Sequence, residues 1–486
     1  MKHYFKNLLS RGKGHLPFLL ILILSVLLRA YRLPFLTTFG GDQGVDFITV
    51  RDMVLYHKWT LIGIKTSIAP FFQGPLYLYI LYPFFYFFDL RLIAGAYAAV
   101  TVSFFTIILL YYTVQRRFSK KAALFAALMF GVSPEFVIYG NTPLYQNFLP
   151  IFIIASLYLL LKRKDHFWKY IFMGLTIGLG MELHFMNIVL AASVFVFLIF
   201  LEKADLKKII SFIAGVITGL LPTVIFELRH NFLNVHLFLD YIKTGKTQQD
   251  YLSVINSFTK GAERFLGGNI KNTGFLIFIL FLYLIFVWKS KDRKVCSLQI
   301  LGSIAFFTLI IMGFFFSVFG PEYYLLLWII LLILIPAFCF ETLSKRSTYI
   351  VLFMFIIINF SGTFFRLNDN HGYNMPAGLT LQKIEKSGEI IAADSQEHPN
   401  FNVATILDGG TRSYSLRYGV LVYGGLPESV DNYPNNNFLY ILARENDVDV
   451  IDSNTWEVKS MRPFNIGKVW NMEDGVYIYR LDREIK

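Results

Sequence analysis

Residues 92–117 read LIAGAYAAVTVSFFTIILLYYTVQRR, an apolar run that carries no charge until it ends on Arg116 and Arg117. A run of this length can cross the ~30 Å hydrocarbon core of a membrane as one helix. Arginines at one end of such a run are typical of the cytoplasmic border. The stretch therefore predicts a membrane-spanning helix that ends at the cytoplasmic face.

Comparable apolar runs recur along the whole chain. They fall at about 15–30, 92–114, 122–140, 146–161, 168–182, 184–201, 207–227, 274–288, 297–318, 322–340 and 348–365. Because 55% of the 486 residues are hydrophobic and only 16% are charged, lipid must cover most of the apolar surface. We therefore predict a polytopic α-helical membrane protein with about 11 transmembrane helices and a cytoplasmic N-terminus, whose first span is retained rather than cleaved.

The net charge of +12 is explained by short basic clusters between the spans, so it predicts membrane orientation and no nucleic-acid partner. These clusters are Arg116-Arg117 with Lys120-Lys121, Lys162-Arg163-Lys164, Lys203 with Lys207-Lys208, Lys289–Lys294, and Lys345-Arg346. The chain is expected in the cell membrane. Its two cysteines fall near the cytoplasmic face, where no structural disulfide is expected.

The remaining polar segments share the opposite face. They are outer loops at about 31–91 and 228–273 within a transmembrane domain of residues 1–365, and a soluble α/β domain at 366–486. Within the first loop, residues 71–88 are apolar but contain Pro75 and Pro83, which favours a helix lying at the membrane interface. In the tail we predict strands at 402–407, 414–423, 438–443 and 476–481 and a helix near 379–386.

The first outer loop opens with Gly40-Gly41-Asp42-Gln43-Gly44-Val45-Asp46. A helix that starts near Asp42 places Asp42, Asp46 and Thr49 on one face. Two such carboxylates can serve as a general base with an orienting partner, or as ligands of a divalent cation. The alternative is that Asp42 is only an N-cap and Asp46 a solvated charge.

The second outer loop begins with Arg229 and His230 at the end of a span. A guanidinium fork beside an imidazole suits a phosphate group. An arginine that snorkels to ordinary lipid headgroups has the same pattern. Further candidates for a polar cavity or an acceptor site near this face are Arg51, Asn147, Glu182, His184, Glu322 and Tyr323.

The cytoplasmic loops are too short for a nucleotide-binding domain and contain no phosphate-binding glycine motif. An activated substrate must therefore reach the outer face already attached to a lipid. This excludes most nucleotide-sugar chemistry and favours a lipid-linked donor.

In their order along the chain, several short motifs resemble the GT-C membrane glycosyltransferases, in particular protein O-mannosyltransferases (glycosyltransferase family 39) and lipid A aminoarabinose transferases. The resemblance covers residues 15–365. The motifs are Gly41-Asp42-Gln43 with Arg51-Asp52-Met53, Phe72-Gln73-Gly74-Pro75-Leu76-Tyr77, Leu183-His184, Glu227-Leu228-Arg229-His230 and Glu322-Tyr323-Tyr324.

This resemblance implies transfer of a sugar from a polyprenyl-phosphate carrier to a protein, lipid or glycan acceptor on the outer face, with Asp42 as the catalytic carboxylate. Gln43 replaces the second acid of the family motif, and Gln146 or Asn147 stands where relatives carry an acid. A tightly bound Mg²⁺ or Mn²⁺ held by Asp42 and Asp46 is therefore not expected to be essential. A flippase of lipid-linked glycans and a glycan ligase or polymerase are the alternatives.

Overall fold

The structure is a computed structural model that describes residues 15–65, 72–162, 165–243, 293–315, 325–407, 409–444 and 447–484. Helices of the part before the tail are α1 Leu16–Ala30, α2 Leu33–Leu36, α3 Gly41–Tyr56, α4 Leu76–Phe87, α5 Ile93–Arg117, α6 Lys120–Val132, α7 Pro134–Tyr139, α8 Leu149–Leu160, α9 Phe167–Leu183, α10 Ile188–Phe200, α11 Leu206–Gly219, α12 Leu221–Arg229, α13 Leu233–Lys243, α14 Arg293–Phe315, α15 Leu325–Thr342 and α16 Lys345–Leu367. The tail contains α17 Leu381–Asp394, β1 Phe401–Thr405, α18 Tyr414–Val422, β2 Phe438–Ala443, α19 Asp447–Ile451, α20 Trp456–Lys459, β3 Phe464–Asn471 and β4 Tyr477–Arg483.

Each predicted span in the described residues coincides with one helix or with two consecutive helices, and the one at 274–288 lies outside the described residues. By length and composition, three described helices can cross a membrane: Ile93–Arg117, Lys294–Met312 and Leu325–Thr342. The pair α11 and α12, bent by 73°, adds a fourth. The mostly helical membrane architecture is thus present, while the number of 11 spans stays a prediction.

One buried arginine donates hydrogen bonds to the backbone carbonyls at an interruption between two helices. The predicted span at 122–140 is two helices, α6 and α7, separated at Ser133, because Pro134 cannot continue a hydrogen-bonded helix. Arg29, which is 1% exposed, donates to the carbonyl oxygens of Phe130 (2.9 Å), Gly131 (3.0 Å) and Phe136 (2.9 Å). Carbonyls without a donor are costly in hydrocarbon, so Arg29 stabilises the broken span.

Two helices cross in backbone contact at glycines. α9 carries Gly174 and Gly178, and α11 carries Gly215 and Gly219, in each case four residues apart. A Cβ on Gly178 would lie 2.4 Å from the carbonyl oxygen of Val216, and one on Gly215 would lie 2.1 Å from that of Ile171. Paired small residues of this spacing allow close helix approach in membranes. The crossing brings the end of α9 to the start of α12.

The tail folds as a four-stranded sheet in the order β1-β2-β4-β3, in which β1 and β2 are parallel and the other pairs antiparallel. The predicted strands at 402–407, 438–443 and 476–481 are confirmed, as is the helix, which extends to Asp394. The predicted strand at 414–423 is wrong. These residues form helix α18, because parallel β1 and β2 need a crossover between them.

Strand β3 was not predicted from the sequence. It is an edge strand, mostly exposed, and its pairing with β4 is irregular between Ile466 and Lys468. The interruption lies at Gly467, where a Cβ would collide with the carboxylate of Asp482. An exposed edge strand with a bulge lacks the alternation of apolar and polar residues that marks a strand in sequence.

The first outer loop and the tail share one hydrophobic core. The ring of Tyr418 on α18 lies 5.4 Å from that of Phe47 on α3 and 6.1 Å from that of Phe85 on α4. Its hydroxyl donates to the carbonyl oxygen of Leu90 (2.6 Å), and Thr38 donates to that of Tyr373 (2.8 Å). The tail is therefore packed directly on the first loop.

The predicted interfacial segment contains the short helix α4, which begins at Leu76 and is 12 residues long. Its last turn carries the exposed aromatic side chains of Tyr86 and Phe87, and the exposed ring of Trp59 packs on Tyr82 of the same helix. Exposed aromatic rings are enriched at membrane interfaces. Their position supports the prediction that α4 lies at the interface.

Replacing Gly178 by valine tests the glycine crossing. The new side chain meets the backbone of α11 and should cost at least the ~1–3 kcal/mol of an overpacked core. The purified protein should unfold at a lower temperature in a thermal melt. Gly41→Ala is the matched control, since a Cβ at Gly41 has no neighbour within 4 Å. Equal melting of both variants would contradict close contact between α9 and α11.

Candidate active site

The acidic motif forms the first turns of α3. Gly40 precedes the helix in an extended conformation, and its N–H donates to Oε1 of Gln43 (2.9 Å). The cap is thus made by Gly40 and Gln43, so the alternative that Asp42 is the N-cap is wrong. The Asp42 side chain lies in the first turn and accepts no hydrogen bond from another described residue. A helix start stabilises an anion there.

Asp46 lies one turn further on the same face. It is 2% exposed, and its Oδ2 has no hydrogen-bond partner among the described residues. Burial, together with the charge of Asp42, raises the pKa of Asp46 well above its usual range. Burial also raises the pKa of Asp42. The alternative that Asp46 is a solvated charge is wrong.

Two neighbouring carboxyl groups with unequal burial can divide acid and base roles between them. Asp46, the more buried, holds a proton more readily, while the more exposed Asp42 ionises first. A proton on Asp46 would remove the repulsion that opposes charging of Asp42. The arrangement can therefore supply one carboxylate base with a protonated neighbour.

An aromatic wall continues from Asp46. Burial, together with the charges of Asp46 and Tyr145, raises the pKa of Tyr77, which lies on α4. The ring of Tyr145 lies 6.3 Å from that of Tyr77 and 5.6 Å from that of His184. Nδ1 of His184 accepts the N–H of Met186 (3.1 Å), so this nitrogen carries no proton. His184 is thus connected to Asp46 through aromatic side chains.

Glu182 forms a second buried acidic position, at the end of α9. It is 1% exposed; Oε1 accepts the N–H of Thr223 at the start of α12 (3.2 Å), and Oε2 has no partner among the described residues. Gly74 lies against this carboxylate so closely that a Cβ would be 1.9 Å from Oε2. The neighbouring Gln73 accepts the N–H of Phe185 (3.1 Å) through Oε1. The loop before α4 is therefore fixed on the end of α9.

Glu227 connects the second outer loop to the same region. Its carboxylate accepts the N–H groups of Asn234 (3.2 Å) and Val235 (3.3 Å) at the start of α13. Asn234 in turn accepts the N–H of Phe72 through Oδ1 (2.9 Å). The sequence predicted no such role for Glu227 or Asn234. Glu227 lies six residues before the first residue of α13, outside the first turn where an acid would indicate a helix start.

The predicted phosphate ligands lie at the end of α12. His230 stacks on Phe226 with 4.1 Å between ring centroids, and its Nδ1 lies 2.9 Å from the carbonyl oxygen of Phe226. Arg229 is exposed. In the described ranges no ion pair joins Arg229 to a carboxylate. Its guanidinium is thus available to an external anion, although the structure does not bring it into contact with Asp42.

The other predicted site residues divide into three groups. Arg51 pairs with Asp52 (3.1 Å) and lies over the ring of Tyr56, away from Asp42. Asn147 donates to the carbonyl oxygen of Thr142 (2.9 Å), while its Oδ1 has no partner among the described residues. Glu322 and Tyr323 lie outside the described residues.

The tail domain forms one wall of the acidic site. At Gly44, between the two aspartates, a Cβ would lie 2.3 Å from the carbonyl carbon of Tyr414 and 2.5 Å from the nitrogen of Ser415. These residues begin α18. Only glycine allows the backbones of α3 and α18 to approach so closely. The tail therefore packs on the first turn of α3 at Gly44.

The described residues form no complete protein cage for a metal ion. Among them there is no group of three or more His, Cys, Asp or Glu side chains that could hold one. Asp42 and Asp46 supply two carboxylates, so a hard divalent cation here would need water or substrate to supply its remaining oxygen ligands.

Residues 72–226 match the family model described as dolichyl-phosphate-mannose-protein mannosyltransferase. The fold is similar to that of ArnT from Cupriavidus metallidurans bound to undecaprenyl phosphate, with 12% identity, a TM-score of 0.62, and coverage of 95% of this chain and 97% of that chain. The apo state of the same protein gives 12% identity, a TM-score of 0.61 and coverage of 97% and 98%. No curated protein matches this chain in a sequence search.

A second similarity is to the oligosaccharyltransferase AglB from Archaeoglobus fulgidus, in complex with an inhibitory peptide and a dolichol-phosphate. It has 11% identity and a TM-score of 0.50, and covers 97% of this chain and 74% of that chain. Both solved proteins are GT-C glycosyltransferases. The chain has the GT-C fold, and the resemblance to this superfamily is confirmed.

Asp46→Asn tests the cost of burying the second aspartate. Because the pKa of Asp46 is raised in the folded state, its ionisation opposes folding above the ordinary aspartate pKa of ~3.9. The variant should therefore unfold at a higher temperature than the wild type at pH 7. The difference should shrink as the pH falls and should vanish below the unfolded-state pKa of ~3.9, where the aspartate is protonated in both states. Asp52→Asn, at a half-buried position paired with Arg51, is the control and should bring no gain. Destabilisation by Asp46→Asn at pH 7 would mean that an ionised Asp46 has a partner.

Proposed function

We propose that this chain is a glycosyltransferase that moves a hexose or pentose from a polyprenyl-phosphate carrier to an acceptor hydroxyl on the outer face of the membrane. The observation that carries the proposal is the pair of exposed Asp42 and buried Asp46 on one face at the start of α3, against which the C-terminal domain packs at Gly44. The fold supports it, since the similar ArnT structure is bound to undecaprenyl phosphate. The match to a mannosyltransferase family model over residues 72–226 points to the same chemistry.

In the proposed reaction Asp42 accepts the proton of the acceptor hydroxyl. The acceptor oxygen forms a bond to the anomeric carbon while the bond from that carbon to the phosphate oxygen breaks, and the polyprenyl phosphate leaves with the electron pair. Attack from the opposite face inverts the configuration of the sugar. Asp46 orients the acceptor next to the base. Because a general base contributes ~10²- to 10⁴-fold, substrate positioning must supply much of the remaining acceleration.

Arg229 and His230 are our candidates for binding the phosphate of the donor. The guanidinium of Arg229 is exposed at the end of a span, where a lipid phosphate lies. Glu227 beside it binds the start of α13, and Asn234 on α13 binds the loop at Phe72. Charge that develops on the leaving phosphate is best stabilised by cations already in place. We place this site and the C-terminal domain outside the cytoplasm, because the basic loops lie at the opposite ends of the helices.

If the chain were a flippase, its acidic groups would be expected to face a pathway through the membrane. Here the acidic pair lies under a soluble domain that has no evident use in a flippase. A ligase or polymerase of glycan chains would share donor, membrane face and loops with a transferase of single sugars. Product mass separates these two, because the first adds a chain and the second adds one residue.

The test is incubation of the purified protein with polyprenyl-phosphate sugars and an acceptor panel, with release of polyprenyl phosphate as the readout. Asp42→Asn preserves size and should reduce turnover by at least ~10²-fold, the loss expected for a general base. Asp52→Asn on the same helix is the control and should turn over normally. Near-normal turnover by Asp42→Asn would exclude Asp42 as the base.

Arg229→Lys tests the phosphate contact. Lysine preserves the charge but loses the planar fork, so turnover per donor concentration should fall about 10- to 150-fold, the equivalent of one charge-assisted hydrogen bond of ~1.5–3 kcal/mol. Arg412→Lys, an exposed arginine of the tail, is the matched control. An arginine that only contacts lipid headgroups would tolerate the change, and an unchanged ratio would remove Arg229 from the site.

A further inference from the structure

A cavity of about 390 Å³ lies at the end of the bundle that carries the basic loops. Its lining includes the last residue of α5, Arg117, and the first turn of α9, together with the end of α10 and the start of α14. α5 begins beside the candidate active site, where Gly95 packs on Phe47. At 1.5 Å per helical residue, Arg117 is ~35 Å from that end. The cavity is thus separate from the acidic site.

The lining has an excess of positive charge. Arg117, Lys162 and Lys169 face one carboxylate, that of Glu202, which gives three cations against one anion. Glu202 already accepts the hydroxyl of Tyr170 (2.7 Å). The nearby Asp165 is occupied by Lys208 (2.7 Å). An anion in the cavity would compensate the remaining charge.

The positive charges are close enough to repel one another. Lys169 is within electrostatic range of the carboxylates of Glu202 and Asp165, and also of the cations Arg117 and Lys208. Like charges held together in a partly dehydrated cavity are unfavourable unless an anion lies between them. A phosphate group fits this requirement, since both guanidinium and ammonium groups bind phosphate oxygens.

The lining also contains the polar side chains of Gln299 and Ser303 and an apolar part. The apolar part includes Leu160, Phe197 and Ile300, all on helices that continue into the hydrocarbon region. A soluble anion needs no such surface. A lipid does, because its headgroup and its acyl chains require adjoining polar and apolar walls. Basic pockets between transmembrane helices at the cytoplasmic side bind anionic headgroups.

We propose that this cavity binds the phosphate group of an anionic phospholipid from the leaflet on the side of the basic loops. The lipid holds the ends of α5, α9, α10 and α14 together. Its phosphate lies between Arg117 and Lys169, and its chains lie along Leu160 and Phe197. This site is independent of the proposed transferase reaction at the other end of the bundle.

A native cysteine can report whether this cavity is occupied. Cys296 lines it and is exposed, whereas Cys339 is buried. The rate of modification of Cys296 by a maleimide therefore reports occupancy. The full-length protein would be reconstituted in nanodiscs of phosphatidylcholine, with increasing phosphatidylglycerol in one series and with inorganic phosphate in another.

Phosphatidylglycerol should slow the modification of Cys296 in the wild type. Lys169→Gln should raise the phosphatidylglycerol content needed for half-protection about tenfold or more, the loss expected for one charge-assisted hydrogen bond. Lys121→Gln is the matched control, because Lys121 is an exposed lysine at the same end of the bundle that does not line the cavity. It should retain the protection seen in the wild type.

The outcomes separate the sources of the anion. Protection by inorganic phosphate alone would support an anion site but overturn the lipid. Equal loss of protection in Lys169→Gln and Lys121→Gln would reduce the effect to general surface charge and overturn the site. If Lys169→Gln does not fold, Lys162→Gln removes another cation of the lining and gives the same comparison. Unchanged modification of the wild type at all phosphatidylglycerol contents would also overturn the proposal.

Discussion

Hydrocarbon offers no hydrogen-bond partner to a backbone carbonyl, so every irregular point in this bundle must be satisfied by the protein itself. Arg29 is the clearest case. The chain breaks at Ser133 and Pro134, and the guanidinium from the first helix supplies donors to three carbonyls around the break. The position of α7, and with it the turn at Asn141 that accepts the hydroxyl of Thr37, depends on this one side chain.

The same constraint explains how the candidate site is built. The glycine crossing of α9 and α11 brings Glu182 to the N–H of Thr223, where α11 and α12 are bent by 73°. Glu227 then satisfies the N–H groups at the start of α13. Each carboxylate fixes a helix start that would otherwise have free donors, and together they hold the loop at Phe72–Gly74. The hydrogen bonds accepted by Glu182 and Glu227 therefore position the segments around the candidate site.

Asp46 has a different role from Glu182 and Glu227. Asp46 keeps an oxygen without a partner among the described residues, in a buried position beside Asp42. Such an arrangement costs stability and is retained where chemistry requires it. The contact of α18 with Gly44 connects the tail to the same helix. The tail is thus part of the site wall, and the first loop and the tail form one packed layer.

The sequence by itself determined the apolar spans, the basic loops and the acidic helix after the first span, because hydropathy, charge and helical spacing are local properties. It also contains the glycine pairs of α9 and α11, but their contact could not be predicted, because it depends on which helix packs against which. Only the tertiary structure decided that residues 414–422 are a helix rather than a strand, since the parallel pairing of β1 and β2 forces a crossover. Likewise, only the packing of distant segments brings Arg29 to the carbonyls around Ser133. The same is true of Glu227, which accepts the N–H groups of α13, and of Asp46, which becomes buried. Burial and hydrogen bonding between residues a hundred positions apart leave no signal in a single sequence.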